Sequence, residues 1–229
     1  VSTQSTGNPQ NIMKKFDNLF LINEVSTRPG VPDKQNAIEI LTKTVKSVSE
    51  YCYATLVSGV GITIPGFGYA FYENTYDKQQ QKASRQLQFA FEEKFTQPLK
   101  LKINIQQMLS TFLKGSMPLT DSHGPIHRLN FTVIGQNAGF NYQDCMEGFQ
   151  LFMTELNRFI RAGYDGSIDL KIGKLVISNY NCKFVFNSQL LNEIQQNGVV
   201  NKLVTSQVLT GGSTFRPSEH FKESTVVFK

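Results

Sequence analysis

Three histidines and three cysteines are the residues of this 229-residue chain best able to do metal or nucleophilic chemistry. His123 and His127 stand four apart, the spacing that lets two imidazoles share a metal on one helix face. Gly124-Pro125 lies between them and breaks that helix, so the pair reads as loop residues; His220 stands alone. Cys52, Cys145 and Cys182 fall at periodic apolar positions, which makes them buried small hydrophobes. There is no C-x-x-C, G-x-S-x-G or P-loop. Gly59-Val60-Gly61 has the look of half a phosphate loop but lacks the Lys-Ser/Thr that completes one, and it enters a strand. The sequon Asn130-Phe131-Thr132 falls in an expected strand and is incidental. No nucleophile, base and orienting group can be assembled, so neither an enzyme nor a cofactor is expected.

The elements around these residues are clearer. Asp33 caps a helix whose stripe is Ile38, Leu41, Val45, Val48 and Cys52, and Gly59 and Gly61 end it. Val60, Ile62 and Ile64 alternate as a strand. Pro65-Gly66-Phe67-Gly68 interrupts, and Tyr69 and Phe71 resume at period two. Gly66 and Gly68 let the chain turn there while Phe67 points inward. A polar stretch follows, then Leu87, Phe89 and Phe91 alternate as a third strand. Leu99 to Ile105 is a short strand or extended linker, Gln106 to Leu113 one or two helical turns, and residues 115–125 a loop. Leu129, Phe131 and Val133 alternate as a strand. Asn141 caps a helix with Cys145, Phe149, Phe152, Leu156 and Phe159 or Ile160 on one side. Ile168 to Ile172, a break at Gly173, Leu175 to Ile177, a turn at Ser178–Asn181, and Cys182 to Phe186 complete a second sheet. The pattern of helix, Gly, strand, interruption, strand, strand thus occurs twice, an internal repeat of roughly 60–70 residues.

Charge narrows the function. Lys plus Arg is 23 against 18 acids, a net +5, and the pI is near 9.0. Charged residues are only 18% of the chain, and no segment is a polycation, so the surplus is not the footprint of a nucleic-acid site. No stretch approaches the roughly 18 consecutive apolar residues of a membrane span. Val1 to Gly7 has no basic n-region, so no secretory leader is expected, and the missing initiator Met points to a piece of a longer chain.

The bend Ile64-Pro65-Gly66-Phe67-Gly68-Tyr69-Ala70-Phe71 resembles the HU/IHF family's Gly-Phe-Gly-Thr-Phe stretch, and Lys171 to Ile177, around Gly173, resembles a degenerate copy. Two such modules in tandem resemble the eukaryotic HU-domain proteins of the coiled-coil domain-containing protein 81 family. Arg128 to Asn141 carries the likeness to that family's second domain. The resemblance implies an α+β fold of two tandem HU/IHF-like modules, each with amphipathic helices and a three-stranded hairpin sheet, with extended N- and C-terminal segments. The divisions are 1–32 extended, 33–98 first module, 99–125 linker, 126–194 second module and 195–229 tail. It also implies a cytoplasmic, cytoskeletal protein of the ciliary axoneme or basal body, with tubulin or other axonemal proteins as partners, including a place as a microtubule inner protein. The family's coiled coil is not visible here. The two modules are expected to pair with each other or with another HU-like protein.

HU and IHF bend DNA with long basic arms that wedge an apolar residue between base steps. The corresponding stretch, Glu73 to Gln86, holds Lys78, Lys82 and Arg85 against Glu73 and Asp77 and has no Pro, so it reads as a surface loop. Nucleic acid is therefore a disfavoured partner, and an architectural DNA-binding protein is the rival reading. In the tail, Phe215, Arg216, Phe221 and Phe228, with Val226 and Val227, are candidate partner anchors, because aromatic and Arg side chains dominate interface energetics.

Overall fold

The computed structural model describes residues 15–29, 33–77, 82–103 and 124–200. His123, His220, the expected helical turns at 106–113 and the anchors Phe215, Arg216, Phe221 and Phe228 lie outside them.

The first described elements are β1 (Lys15–Phe16) and α1 (Asn18–Ser26). Asp17 caps α1 by accepting from the Phe20 N–H at 2.8 Å, and Leu21, Ile22 and Val25 supply the apolar side. This helix occupies a segment expected to be extended: its stripe covers only two turns, too short for periodicity to declare it. The long helix α2 (Lys34–Val57) starts at Asp33, which accepts from Asn36 N, and buries Leu41, Val45, Val48, Cys52 and Leu56. Then come β2 (Gly61–Ile64), β3 (Gly68–Asp77), β4 (Lys82–Phe91), the single turn α3 (Glu93–Thr96) and β5 (Lys102–Ile103).

The second half repeats the order: β6 (Ile126–Arg128), α4 (Phe131–Ala138), α5 (Tyr142–Arg161), β7 (Asp165–Asp169), β8 (Gly173–Ser178), β9 (Asn181–Phe186) and α6 (Ser188–Gln196). The strand expected at Leu129–Val133 is instead the start of α4. Asn130 accepts from the N–H groups of Thr132 and Val133, and Gly139, at φ 78°, closes the far end. Between these caps Ile134 and Ala138 share a buried face at a spacing of four, and the strand proper is three residues upstream. Alternation over three residues is too short a run to tell the two apart.

The strands form two sheets, ordered β4-β3-β2-β6 and β1-β7-β8-β9-β5. Neither sheet belongs to one half of the chain. β1 joins β7 in parallel, with Phe16 opposite Gly166. β6 joins β2 in parallel, with Ile62 opposite His127, and β5 joins β9 with Ile103 opposite Cys182. Helices cross the same boundary. α2 packs on α4 and α5, and α1 packs on both α2 and α5. The buried apolar residues of both halves form one continuous cluster.

Three polar devices hold α1 against the second half. Asn18 donates to the Asp169 carbonyl at 2.8 Å and accepts from the Asp169 N–H at 2.9 Å. The carboxylate of Glu155 on α5 is buried and is met by the guanidinium groups of Arg28 and Arg158. Arg158 also reaches Glu24, at 3.3 Å. A buried carboxylate is tolerated only when so paired. Phe20 meets Phe159 edge-on at 4.9 Å between ring centroids. On the other side of α2, the Tyr53 hydroxyl donates to Glu193 of α6, and this bond is the main cause that pushes the phenol up to about 12.

All three cysteines are buried and unbridged. Burial pushes the Cys52 thiol up to about 12 and raises that of Cys182 as well. The reactive thiolate is therefore scarce at neutral and mildly alkaline pH. An aromatic disulfide reagent at pH 8 should find no fast-reacting thiol in the folded chain and three after unfolding in urea. Rapid labelling of Cys52 in the folded chain would contradict the packing described here.

Candidate interaction site: the paired sheet bends

The bend at residues 64–68 has the geometry its sequence requires. Phe67 N–H donates to Ile64 O at 3.1 Å, with Pro65 and Gly66 in the two central positions and Gly66 at φ +71°. Pro followed by a residue of positive φ is the pattern of a type II turn. Glu92 closes the bend from across the sheet. Its carboxylate accepts from Gly66 N–H at 3.0 Å and from the Tyr69 hydroxyl at 3.2 Å, while its own N–H donates to Phe67 O. Phe67 is turned inward, 1% exposed, with Phe89, Phe91, Phe95 and Phe184 all within 6.0 Å between centroids.

Gly68 is a packing requirement. A Cβ there would lie 2.3 Å from Ala90 O and 2.9 Å from Phe89 Cζ. Gly173 repeats the arrangement in the other half, with Val185 O at 2.4 Å and Phe184 Cε1 at 2.6 Å from a hypothetical Cβ. In both sheets the far edge of a phenylalanine ring on the neighbouring strand thus takes the place a side chain would need at the glycine. Those two rings, Phe89 and Phe184, stack on each other at 4.0 Å with their planes 16° apart. Of the expected site residues, Phe67, Gly68 and Gly173 stand at the joint between the two halves, and Pro65 and Gly66 form the exposed turn beside it. The rings that complete the joint were not singled out from sequence. Gly68 and Phe89 are separated by the long β3–β4 hairpin and Gly173 and Phe184 by a short one, so no common spacing marks them.

Within the stretch expected as a surface loop, residues 73–77 and 82–86 form a paired ribbon. β3 and β4 pair in register from Gly68↔Phe91 to Asp77↔Lys82. Regular alternation through Tyr72, Asn74 and Tyr76 sustains the ladder although the residues are polar, since each rung adds backbone hydrogen bonds whatever the side chains. The second hairpin stops at Ser178↔Asn181. On the ribbon, Arg85 turns back to the body. It donates to Gly59 O at 2.7 Å, and its guanidinium lies 4.4 Å from the centroid of the Tyr72 ring. Tyr72 in turn donates to Leu56 O, and burial raises its phenol above the ordinary range. Arg85 thus serves the joint between α2 and the sheet.

No group of three metal-ligating side chains occurs among the described residues. His127 lies in β6, opposite Ile62. Two open grooves are present. One, of about 320 Å³, is lined by Arg28, Thr154, Asn157, Arg158 and Arg161; the other, of about 480 Å³, lies along α6. In the second, the Glu193 carboxylate is engaged by the Tyr53 hydroxyl.

Residues 125–198 match the family model described as CCDC81 eukaryotic HU domain 2. The matched span runs from just ahead of β6 through α6, the whole of the second repeat as described above. A comparison with curated proteins finds no match. Over that span the chain is similar to the second HU domain of the CCDC81 family.

Three outcomes follow for stability. Gly68→Ala and Gly173→Ala should each cost about 1–3 kcal/mol or more, since a carbonyl oxygen must move. Gly66→Asn should cost only a few tenths, because the turn is open there and Asn tolerates positive φ. Arg85→Leu should lower stability by about 1–2 kcal/mol through loss of the Gly59 bond and the Tyr72 contact. Urea midpoints measure all four variants; a neutral Gly173→Ala would contradict the ring-against-glycine packing.

Proposed function

We propose that this chain is a non-enzymatic structural protein of the ciliary axoneme or basal body, docked on doublet microtubules, including their luminal face as a microtubule inner protein. The observation that carries the reading is that the two HU-like repeats close on each other and turn Arg85, a basic side chain of the one long ribbon, into their own framework. HU-type DNA bending needs arms whose cations and apolar wedge are presented outward. What this surface offers is apolar positions standing in solvent, among them Leu19, Tyr142 and Leu151. These suit contact with other proteins. The candidate tail anchors Phe215, Arg216, Phe221 and Phe228 lie beyond the described residues and would add to the same kind of contact.

The family resemblance supports the cytoskeletal setting. The mild net charge of +5 favours approach to an acidic lattice without demanding a duplex. One observation favours a second reading: the β3–β4 ribbon is long and paired, as an architectural DNA-binding arm must be. Along it acidic and basic residues alternate with neutral ones, Glu73 standing at the register position of Gln86 and Asp77 at that of Lys82.

Co-sedimentation with stabilised microtubules and with isolated doublets, alongside a salt series of duplex-DNA gel shifts, separates the two. The structural reading expects pelleting with one of the lattices and no salt-steep DNA binding. Absence from both pellets would overturn it, and a DNA affinity falling steeply with salt would establish the rival.

A further inference from the structure

The repeat supplies an internal control: what both sheets carry serves the fold, and what one alone carries calls for another reason. The registers Gly68↔Phe91 and Gly173↔Phe186 superimpose the two hairpins. Lys174 then takes the place of Tyr69, and Lys183 that of Gln88. In the first sheet both places are uncharged and tied to acids, Tyr69 donating to Glu92 at 3.2 Å and Gln88 to Glu73 at 3.4 Å. The fold therefore needs no cation at either place.

Register also sets these two lysines on one face with a third. Residues directly opposite each other in a sheet share a face, and the faces alternate along each strand. Lys174 stands opposite Val185, Val176 opposite Lys183, and Asn181 opposite Lys102. Leu175, Ile177, Cys182 and Phe184 alternate with them and are buried, so these six residues form the outer face. Lys102 and Lys174 are exposed and Lys183 is half-buried. Lys102 on β5, Lys183 on β9 and Lys174 on β8 thus make a diagonal across three adjacent strands, with steps of about 7–8 Å. Val176 and Val185, both half-buried, lie beside it on the same face.

The acids of that face are already engaged. Asp165 accepts from the Ser178 hydroxyl at 3.0 Å and from the Asn179 N–H at 2.8 Å, closing the β8–β9 turn. Asp169 stands opposite Lys174, but its carboxylate accepts from the Lys171 N–H at 3.1 Å. Among the described residues, Lys102, Lys174 and Lys183 have no ion pair.

We propose that this diagonal docks an extended acidic segment of a partner protein. Carboxylates at alternate positions of the segment meet Lys102, Lys183 and Lys174, and Val176 and Val185 give it an apolar floor. Alternate side chains of an extended chain stand about 6.6–6.8 Å apart, close to the lysine step. Neighbours three or four apart on a helix, at about 5–6 Å, fit it less well. A duplex fits worse, because the three strands span only about 10 Å and a broader polyanion would also lie over Asp165 and Asp169. Docking of this kind does not rest on the ciliary setting proposed above, and failure to bind microtubules would leave it standing.

Fluorescence anisotropy of a labelled peptide of alternating Glu and Ser, titrated with the full chain at low salt, is the test. One variant combines Lys102→Gln, Lys174→Gln and Lys183→Gln. A control removes the same charge from exposed lysines of other elements, through Lys34→Gln, Lys46→Gln and Lys94→Gln. Exposed pairs contribute modestly one by one, so the first triple should weaken binding at least about tenfold and the control less than about twofold. In the unaltered chain the peptide should shift the amide resonances of Val176, Lys183 and Val185 and leave those of β3 in place, a readout that needs no variant to fold. Absence of binding or of those shifts would overturn the proposal. Equal weakening by both triples would do the same, marking diffuse charge, as would a short DNA duplex that binds this face more tightly than the peptide.

Discussion

Phe89 and Phe184 are stacked at 4.0 Å, each set against a glycine of its own sheet, and this contact is the constraint around which both halves are arranged. Each ring can sit there only if the neighbouring residue has no side chain, and the two rings can meet only if both sheets present the same face to the joint. An aromatic pair adds about 0.5–1.5 kcal/mol beyond the area it buries. Its larger effect is geometric: it sets the distance between the sheets at which Phe67, Phe91, Phe95 and Phe186 can fill the remaining space.

The exchange of edge strands follows from the same arrangement. Once the sheets face each other, the segments entering and leaving each half emerge beside the other half's sheet. β1, β5 and β6 add to it at low cost because the connection is intramolecular. The polar contacts at the seam, Asn18 with Asp169 and Arg28 with Glu155, then secure α1 to a helix and strand more than a hundred residues away. A ribbon arginine turned inward belongs to the same logic: Arg85 ties the β3–β4 hairpin down at its base.

Much of this was legible along the chain. The two long helices follow from stripes at steps of three and four, and their starts follow from Asp33 and Asn141, whose side chains do cap them. The bend at Pro65-Gly66 was readable because its two residues suit only a few turn geometries, and Gly66 adopts the positive φ expected of it. Short elements were not legible. α1 and α4 are about two turns each, and three alternating apolar residues at Leu129–Val133 look alike in a strand and at a helix start. The polar ribbon was missed for a different reason: its rungs are backbone bonds, which leave no hydrophobic signature in the side chains.

What the sequence determined by itself, then, is local: the periodic helices, their caps, the glycine-marked bends, the inert buried cysteines and the repetition of one pattern. Those features depend on neighbours within a few residues, where spacing and stereochemistry suffice. The tertiary structure alone decided that the repeats trade strands, that Phe89 and Phe184 share one joint, that Glu155 is buried between two arginines and that Arg85 faces inward. Each of these joins residues distant along the chain through contacts no periodicity encodes, because their geometry exists only when both halves have closed on the same core.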